Sequence, residues 1–225
     1  MTSQKNNVLD EWLAAYAAGQ LPVGLSLMVA AHLDLRPELL PRLRRYEDIG
    51  GQLIENLAPC MDVGYALLGS LLNRIEQQEE SFPDLKTYKP DLNSTEAASI
   101  FPRSIQRFLG YNFEQARWRF AGPGSVISHL WQDEDVGRLW MFRSKAGTIT
   151  PAHTHSGKEW TLILQGGYNT SEGEFTFGDL HQVDENDTHQ PIMDKGEDCI
   201  CLVFTEGPTI YSEFLPKVMQ RYTGI

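Results

Sequence analysis

The first eighty residues of the chain place apolar side chains at helical spacing. A first predicted helix starts near Val8 and ends before Gly19, because glycine commonly terminates helices. Its apolar stripe consists of Leu9, Trp12, Leu13 and Tyr16. Such a stripe usually faces a core, and any exposed part of it would be available to a partner protein.

Three more helices are predicted before residue 80. A short apolar helix covers residues 25–32, and a longer one runs from Pro37, which suits a first helical turn, toward Leu53. Asp62 is a candidate N-terminal cap for the fourth helix. The apolar side of that helix consists of Ala66, Leu67, Leu71 and Ile75. Four short helices with small loops predict a small bundle.

Beyond residue 80 the helical period disappears and strand-like runs follow. Residues 81–105 begin with a proline-containing stretch without a period, which is typical of a linker. Glycines then separate short apolar runs at 116–120, 126–131, 138–143, 160–165, 174–177 and 199–204. Such runs, without helices between them, favour an antiparallel sandwich or barrel. The predicted fold class is therefore α+β, with a helical domain at 1–80, a linker at 81–105 and a β-domain at 106–225.

Charge and composition exclude two classes of partner. The 225 residues carry a formal net charge of −11, so no basic excess is available to bind a nucleic-acid backbone or an anionic membrane surface. No apolar run has the length that a bilayer requires, and residues 1–7 lack the apolar stretch of a signal peptide. We therefore expect a cytoplasmic protein that binds neither nucleic acid nor membrane directly.

The three cysteines do not form a disulfide framework. Cys60, Cys199 and Cys201 are odd in number, and the last two belong to one apolar run, where alternate side chains share a face. Such neighbours could ligate a metal or oxidise, but small buried thiols on a core strand are the commoner explanation.

Candidate metal ligands concentrate in one stretch of the chain. His153 and His155 are separated by one residue, so they project to the same face of an extended strand. Glu159 can join them if the chain turns between, and His189 follows a later glycine turn. Three imidazoles and one carboxylate suit zinc, iron, manganese, nickel or copper, and they can leave positions open for water or substrate.

Other histidines in this half of the chain have a simpler explanation. A lone histidine in a strand is usually a polar side chain with ordinary hydrogen bonds, and we expect this of His129 and His181. His181 is nevertheless the best candidate for an additional polar group near the metal ligands. No second acid–base pair is evident.

The four candidate ligands fit the double motif of the cupin family, which this sequence resembles. The matching positions are Gly147, His153, His155, Glu159 and Gly166 in the first half, and Gly178 and His189 in the second. Three non-ligand positions depart from the family pattern, namely Asp184, Asn186 and Met193. The resemblance implies that the ligands lie inside a small β-barrel.

The whole chain resembles the ChrR family of anti-sigma factors. The resemblance rests on the strings at residues 15–19 (AYAAG), 29–33 (VAAHL), 159–166 (EWTLILQG) and 199–202 (CICL). It implies that the N-terminal helices hold an extracytoplasmic-function sigma factor inactive. The cupin would take part in sensing a stress, notably singlet oxygen, and zinc becomes the first choice of metal.

The N-terminal zinc motif of that family is degenerate here. An early histidine and a His-x3-Cys-x2-Cys motif correspond to Asn7, His32, Arg36 and Leu39. One histidine cannot close a tetrahedral zinc site, so we predict no zinc in the N-terminal half. His32 is then expected to be an exposed residue at a helix end.

Three functions remain open on the sequence alone. The first is a stress-response regulator that binds a sigma factor. The second is a metal-dependent cupin enzyme, for example a dioxygenase. The third is a metal- or ligand-binding module in which the helices form a homodimer contact. We favour the regulator, and fold and metal alone do not define a reaction.

Overall fold

Helices come first and strands follow in the described part of the chain, which comprises residues 4–58, 65–78 and 99–211 of this computed structural model. The helices are α1 Gln4–Ala17, α2 Val23–Leu35, α3 Leu40–Glu55, α4 Tyr65–Gln78 and α5 Arg103–Leu109. A 3-10 turn at Pro37–Leu39 precedes α3. The strands are β1 Arg119–Gly122, β2 Ser125–Asp133, β3 Gly137–Ser144, β4 His153–His155, β5 Glu159–Gln165, β6 Gly167–Thr170, β7 Gly173–Thr176, β8 Leu180–Val183, β9 Ile192–Met193, β10 Cys199–Thr205 and β11 Thr209–Tyr211. The predicted α+β fold class is confirmed.

The chain divides into two compact units. Residues 1–47 and 98–225 form one unit, and residues 48–97 form the other. The predicted domain limits at residues 80 and 105 stay a prediction. Helix α5 begins within the predicted linker and was not expected from the sequence. Two linker residues, Phe101 and Ile105, are buried. Most of that linker, together with Cys60 and Asp62, lies outside the described residues.

The β-domain contains one large antiparallel sheet and two small ones. The large sheet has the strand order β1-β2-β3-β10-β5-β8. The small sheets pair β11 with β4 and arrange three strands as β7-β6-β9. This order places β10 between β3 and β5 at the centre of the large sheet, where both of its faces are covered.

The unbroken apolar run of β10 reflects this double burial. Its alternate side chains belong to two different cores, as expected for a strand covered on both sides. The helix-side face of the sheet consists of Leu139, Met141, Trp160, Leu162, Leu164, Ile200, Leu202 and Phe204. The inner face consists of Ile127, Trp140, Ile163, Cys199, Cys201 and Val203.

Helices α1 and α2 cover the helix-side face. The Trp12 and Trp160 rings pack with centroids 5.1 Å apart, and Leu13 is fully buried. Gly24 permits the close approach of α2, since a Cβ atom there would lie 2.8 Å from Cζ3 of Trp131. The predicted α1 stripe therefore serves mainly as core at Trp12 and Leu13, while the side chain of Leu9 lies outside the described residues.

The exposed apolar stripes of the helical region lie further along the chain. Nine side chains between residues 49 and 75 are 44% to 71% exposed. The α3 stripe consists of Ile49, Leu53 and Ile54 together with Leu57 just beyond the end of the helix, and the α4 stripe consists of Leu67, Leu68, Leu71, Leu72 and Ile75. No helix among the described residues combines the length and apolarity needed to cross a membrane.

Candidate metal centre

Backbone pairing brings the three predicted histidine ligands together. His153 and His155 begin and end β4, which pairs with β11. His153 and His189 then form an isolated antiparallel bridge, in which each amide donates to the other residue's carbonyl at 3.0 Å. Residues that lie 36 positions apart in sequence therefore present their imidazoles at one place.

The Nε2 atoms of these three rings converge at distances that fit a metal ion. His189 Nε2 lies 2.9 Å from His153 Nε2 and 3.1 Å from His155 Nε2. Nitrogens that bind one ion at about 2.1 Å are about 3.0 Å apart when their bonds meet at right angles. Together the three residues form a group able to hold a metal ion.

A hydrogen bond holds the His153 ring in the tautomer that metal binding requires. His153 Nδ1 donates to the Pro151 carbonyl at 2.8 Å, so its Nε2 carries the lone pair that faces His189. The Nδ1 atoms of His155 and His189 are buried and make no hydrogen bond with the described residues. A metal ion at the Nε2 atoms would place the ring protons of His155 and His189 on these two Nδ1 atoms.

Glu159 lies beside His155, but its carboxylate oxygens are not among the ligand atoms that converge. Its Oε2 is 3.6 Å from His155 Nδ1, and its Oε1 accepts a hydrogen bond from Thr161 Oγ1 at 3.2 Å. Glu159 as a whole residue is 7% exposed, and a buried carboxylate without a nearby cation is costly. A divalent metal ion at the three imidazoles would supply the missing positive charge.

Burial shifts every candidate ligand toward its neutral form. It lowers the pKa of His153, lowers that of His155 to about 3 and lowers that of His189 to about 2, with neighbouring imidazoles adding to the latter two shifts. It also raises the pKa of Glu159 to about 7. Between a pH of about 3 and a pH of about 7, both His155 and Glu159 are therefore neutral, and their contact is not a salt bridge.

Two further aromatic polar residues, Tyr211 and His181, lie near the three histidines. The Tyr211 ring lies 5.6 Å from the His153 ring, because β11 pairs Tyr211 with His153. His181 lies with its ring centroid 5.8 Å from that of His189, and a 2.8 Å hydrogen bond joins its Nδ1 to the Tyr168 hydroxyl. His181 is thus near the site, as expected, whereas the β11 pairing had no signal in the sequence.

The other two sequence features of this half have structural roles. His129 lies on β2 as an exposed residue and does not belong to the group of histidines whose ligand atoms converge. Cys199 and Cys201 are buried on the inner face with their Sγ atoms 3.5 Å apart, and this contact and burial raise the pKa of Cys201. Both thiols are therefore buried residues of a core strand, as predicted.

The expectation for His32 was wrong. This residue is 7% exposed, and its Nε2 donates a 3.1 Å hydrogen bond to the carbonyl of Gly178. Burial lowers its pKa, so the ring is neutral at neutral pH. The prediction considered His32 only as a residue near the end of a helix. It did not take into account that the β-domain packs on α2.

The fold and the site together define a cupin that carries N-terminal helices. A family model described as the ChrR Cupin-like domain matches residues 106–208. The anti-sigma-E factor ChrR of Cereibacter sphaeroides is 32% identical over 223 residues, which cover 98% of this chain and 99% of that protein. The chain belongs to the ChrR family of anti-sigma factors, which confirms the resemblance seen in the sequence.

A solved structure of a relative agrees over most of the chain. The crystal structure of Rhodobacter sphaeroides SigE in complex with the anti-sigma ChrR contains a chain that is 31% identical, with a TM-score of 0.68. The match covers 87% of this chain and 96% of that chain. These similarities favour the regulator over the enzyme and over the simple binding module.

Proposed function

We propose that this protein is an anti-sigma factor that binds an extracytoplasmic-function sigma factor through its helical region. The observation that carries the proposal is the pair of exposed apolar stripes on α3 and α4. Monomeric proteins rarely leave such contiguous apolar surface in water, so its presence marks a binding site. The related ChrR chain was crystallised in complex with SigE, and this supports a sigma factor as the partner. The chain would then act in the cytoplasm, where sigma factors meet RNA polymerase.

Binding and inhibition of a sigma factor are the direct test. The purified chain should form a complex with an extracytoplasmic-function sigma factor of the same organism and should block transcription directed by that sigma factor. Size-exclusion chromatography measures the complex, and run-off transcription measures the block. A housekeeping sigma factor is the control and should be unaffected. The proposal fails if none of the extracytoplasmic-function sigma factors binds.

We further propose that His153, His155, Glu159 and His189 hold one divalent metal ion, with zinc as first choice. The three convergent Nε2 atoms support the histidines, and the buried, uncompensated carboxyl of Glu159 supports its addition. When bound, the ion would supply positive charge and a rigid link between β4, β5 and the segment that carries His189. Iron, manganese and nickel would also accept these ligands.

Metal binding should release a proton from Glu159 and none from His155 or His189. The pKa of Glu159 is about 7 in the metal-free chain, whereas the pKa values of about 3 for His155 and about 2 for His189 leave their rings already neutral. A bound dication favours the carboxylate, so release should approach about one proton per metal as pH falls from about 8 to about 6. Calorimetric titration in buffers of different ionisation enthalpy measures this number.

The matched control for this titration is Glu159→Gln. This variant keeps the shape of the side chain but has no proton to lose, so release should vanish over the same pH range. Equal release from the variant and the unsubstituted chain would contradict the role assigned to Glu159.

A further inference from the structure

The end of α2 is bound to one turn of the β-domain by four polar contacts. This turn comprises Phe177, Gly178 and Asp179 and connects β7 with β8. Arg36 donates from Nε to the Gly178 carbonyl at 3.2 Å and from Nη2 to the Phe177 carbonyl at 3.1 Å. The same Nη2 lies 3.3 Å from Asp179 Oδ1, and His32 provides the fourth contact through the Gly178 carbonyl.

The turn is shaped to receive the guanidinium group. Gly178 has a φ of +79°, and a Cβ atom at this position would lie 2.6 Å from Arg36 Nε. Asp179 uses its second oxygen to hold the turn, since Oδ2 accepts hydrogen bonds from the Thr176 amide at 2.9 Å and the Thr176 hydroxyl at 3.2 Å. The carboxylate therefore joins the helix contact to the internal structure of the turn.

The same turn is continuous with the residues around the metal centre. Gly178 and Asp179 exchange two backbone hydrogen bonds with Ile163 of β5, at 2.9 and 3.0 Å. On the strands that leave the turn, Phe175 and His181 stack with ring centroids 3.9 Å apart. His181 in turn lies with its ring 5.8 Å from that of His189. A short series of packed groups therefore links α2 to a metal ligand.

We propose that His32 and Arg36 form a latch on the 177–179 turn, and that metal occupancy of the cupin site controls how firmly this latch holds α2. A metal ion that fixes His189 would restrain His181 and Phe175. It would thereby also restrain the 177–179 turn, to which Arg36 is hydrogen-bonded. Loss of the ion would loosen the turn and release α2 from it. The inference rests on the proposed metal site but not on the identity of the protein partner.

Hydrogen exchange of the full-length chain, with and without metal, tests the latch. Removal of the metal from the unsubstituted chain should speed amide exchange in both the 177–179 turn and α2, by about tenfold in α2. In Arg36→Ala, α2 should exchange faster than in the unsubstituted chain even with metal bound, and metal removal should no longer change its rate. Arg107→Ala removes an exposed arginine of α5 and should behave as the unsubstituted chain does.

Metal content measured on the same samples separates the two proposals. A chain that binds no metal would overturn the metal site and the latch together. A chain that binds metal but shows the same α2 exchange with and without it would overturn the latch alone. If Arg36→Ala does not fold, Asp179→Asn serves in its place, because it removes the ion pair while a side-chain oxygen remains to hold the turn.

Discussion

Replacement of His189 with alanine should abolish stoichiometric metal binding. Its Nε2 is the central atom of the site, at 2.9 Å from that of His153 and 3.1 Å from that of His155. Loss of a partner that only orients a ligand costs about tenfold to hundredfold in affinity, so loss of a ligand should cost more. His153→Ala should have the same effect. Elemental analysis of the purified variants and calorimetric titration measure it.

The control for this experiment is His129→Ala, which removes an exposed imidazole from β2 and should leave metal content unchanged. The unsubstituted chain should contain one metal equivalent. A second equivalent would contradict our prediction that Asn7, His32, Arg36 and Leu39 hold no zinc. Retention of metal in both ligand variants would show that the ion binds elsewhere.

A negative charge on the α4 stripe should remove most of the affinity for the sigma factor. Leu71 and Ile75 are 44% and 56% exposed, and burial of this remaining exposed half in an interface contributes about 0.8–1.5 kcal/mol, or about fourfold to tenfold in affinity. Aspartate at either position removes this contribution to the binding free energy and adds the free-energy cost of a buried carboxylate. Leu71→Asp and Ile75→Asp should therefore weaken binding at least about tenfold, as measured by calorimetry or surface plasmon resonance.

Asn73→Asp is the matched control for these variants. It introduces the same charge into the same helix, but at helical spacing residue 73 lies on the face opposite the α4 stripe. Its affinity should stay within about twofold of that of the unsubstituted chain, because exposed surface charges contribute little. If Asn73→Asp weakens binding as strongly as Leu71→Asp, the effect is one of net charge and the stripe is not the interface.

The convergence of His153, His155 and His189 was predictable because much of its signal lies in the spacing of these residues along the chain. The i, i+2 spacing of His153 and His155 requires only that the segment be a strand, and the cupin spacing added Glu159 and His189. Tyr211 had no such signal, since its position depends on a pairing between β4 and β11 that closes a long stretch of chain. The position of Glu159 next to His155 Nδ1 is likewise a property of the folded barrel.

His32 illustrates a different limit. The sequence of α2 does contain a hint, because Val23–Leu35 has few polar residues and a helix without a polar face is usually buried on all sides. The acceptor of the His32 hydrogen bond, however, is Gly178, which lies 146 residues later. The pattern of apolar residues within a helix can predict that a residue is buried. It cannot predict which distant backbone group accepts the hydrogen bond of that residue.

The helix-side face of the sheet determines which fragments of this chain can stay in solution. A fragment that starts at residue 106 would retain Trp160, Leu162, Leu202 and Phe204 but lose α1 and α2, which cover them. Four large side chains that are nearly or fully buried in the intact chain would then form one apolar patch in water. Such patches drive self-association. The isolated β-domain would therefore aggregate although all four proposed metal ligands are present, and poor solubility of that fragment would say nothing about the proposed metal site.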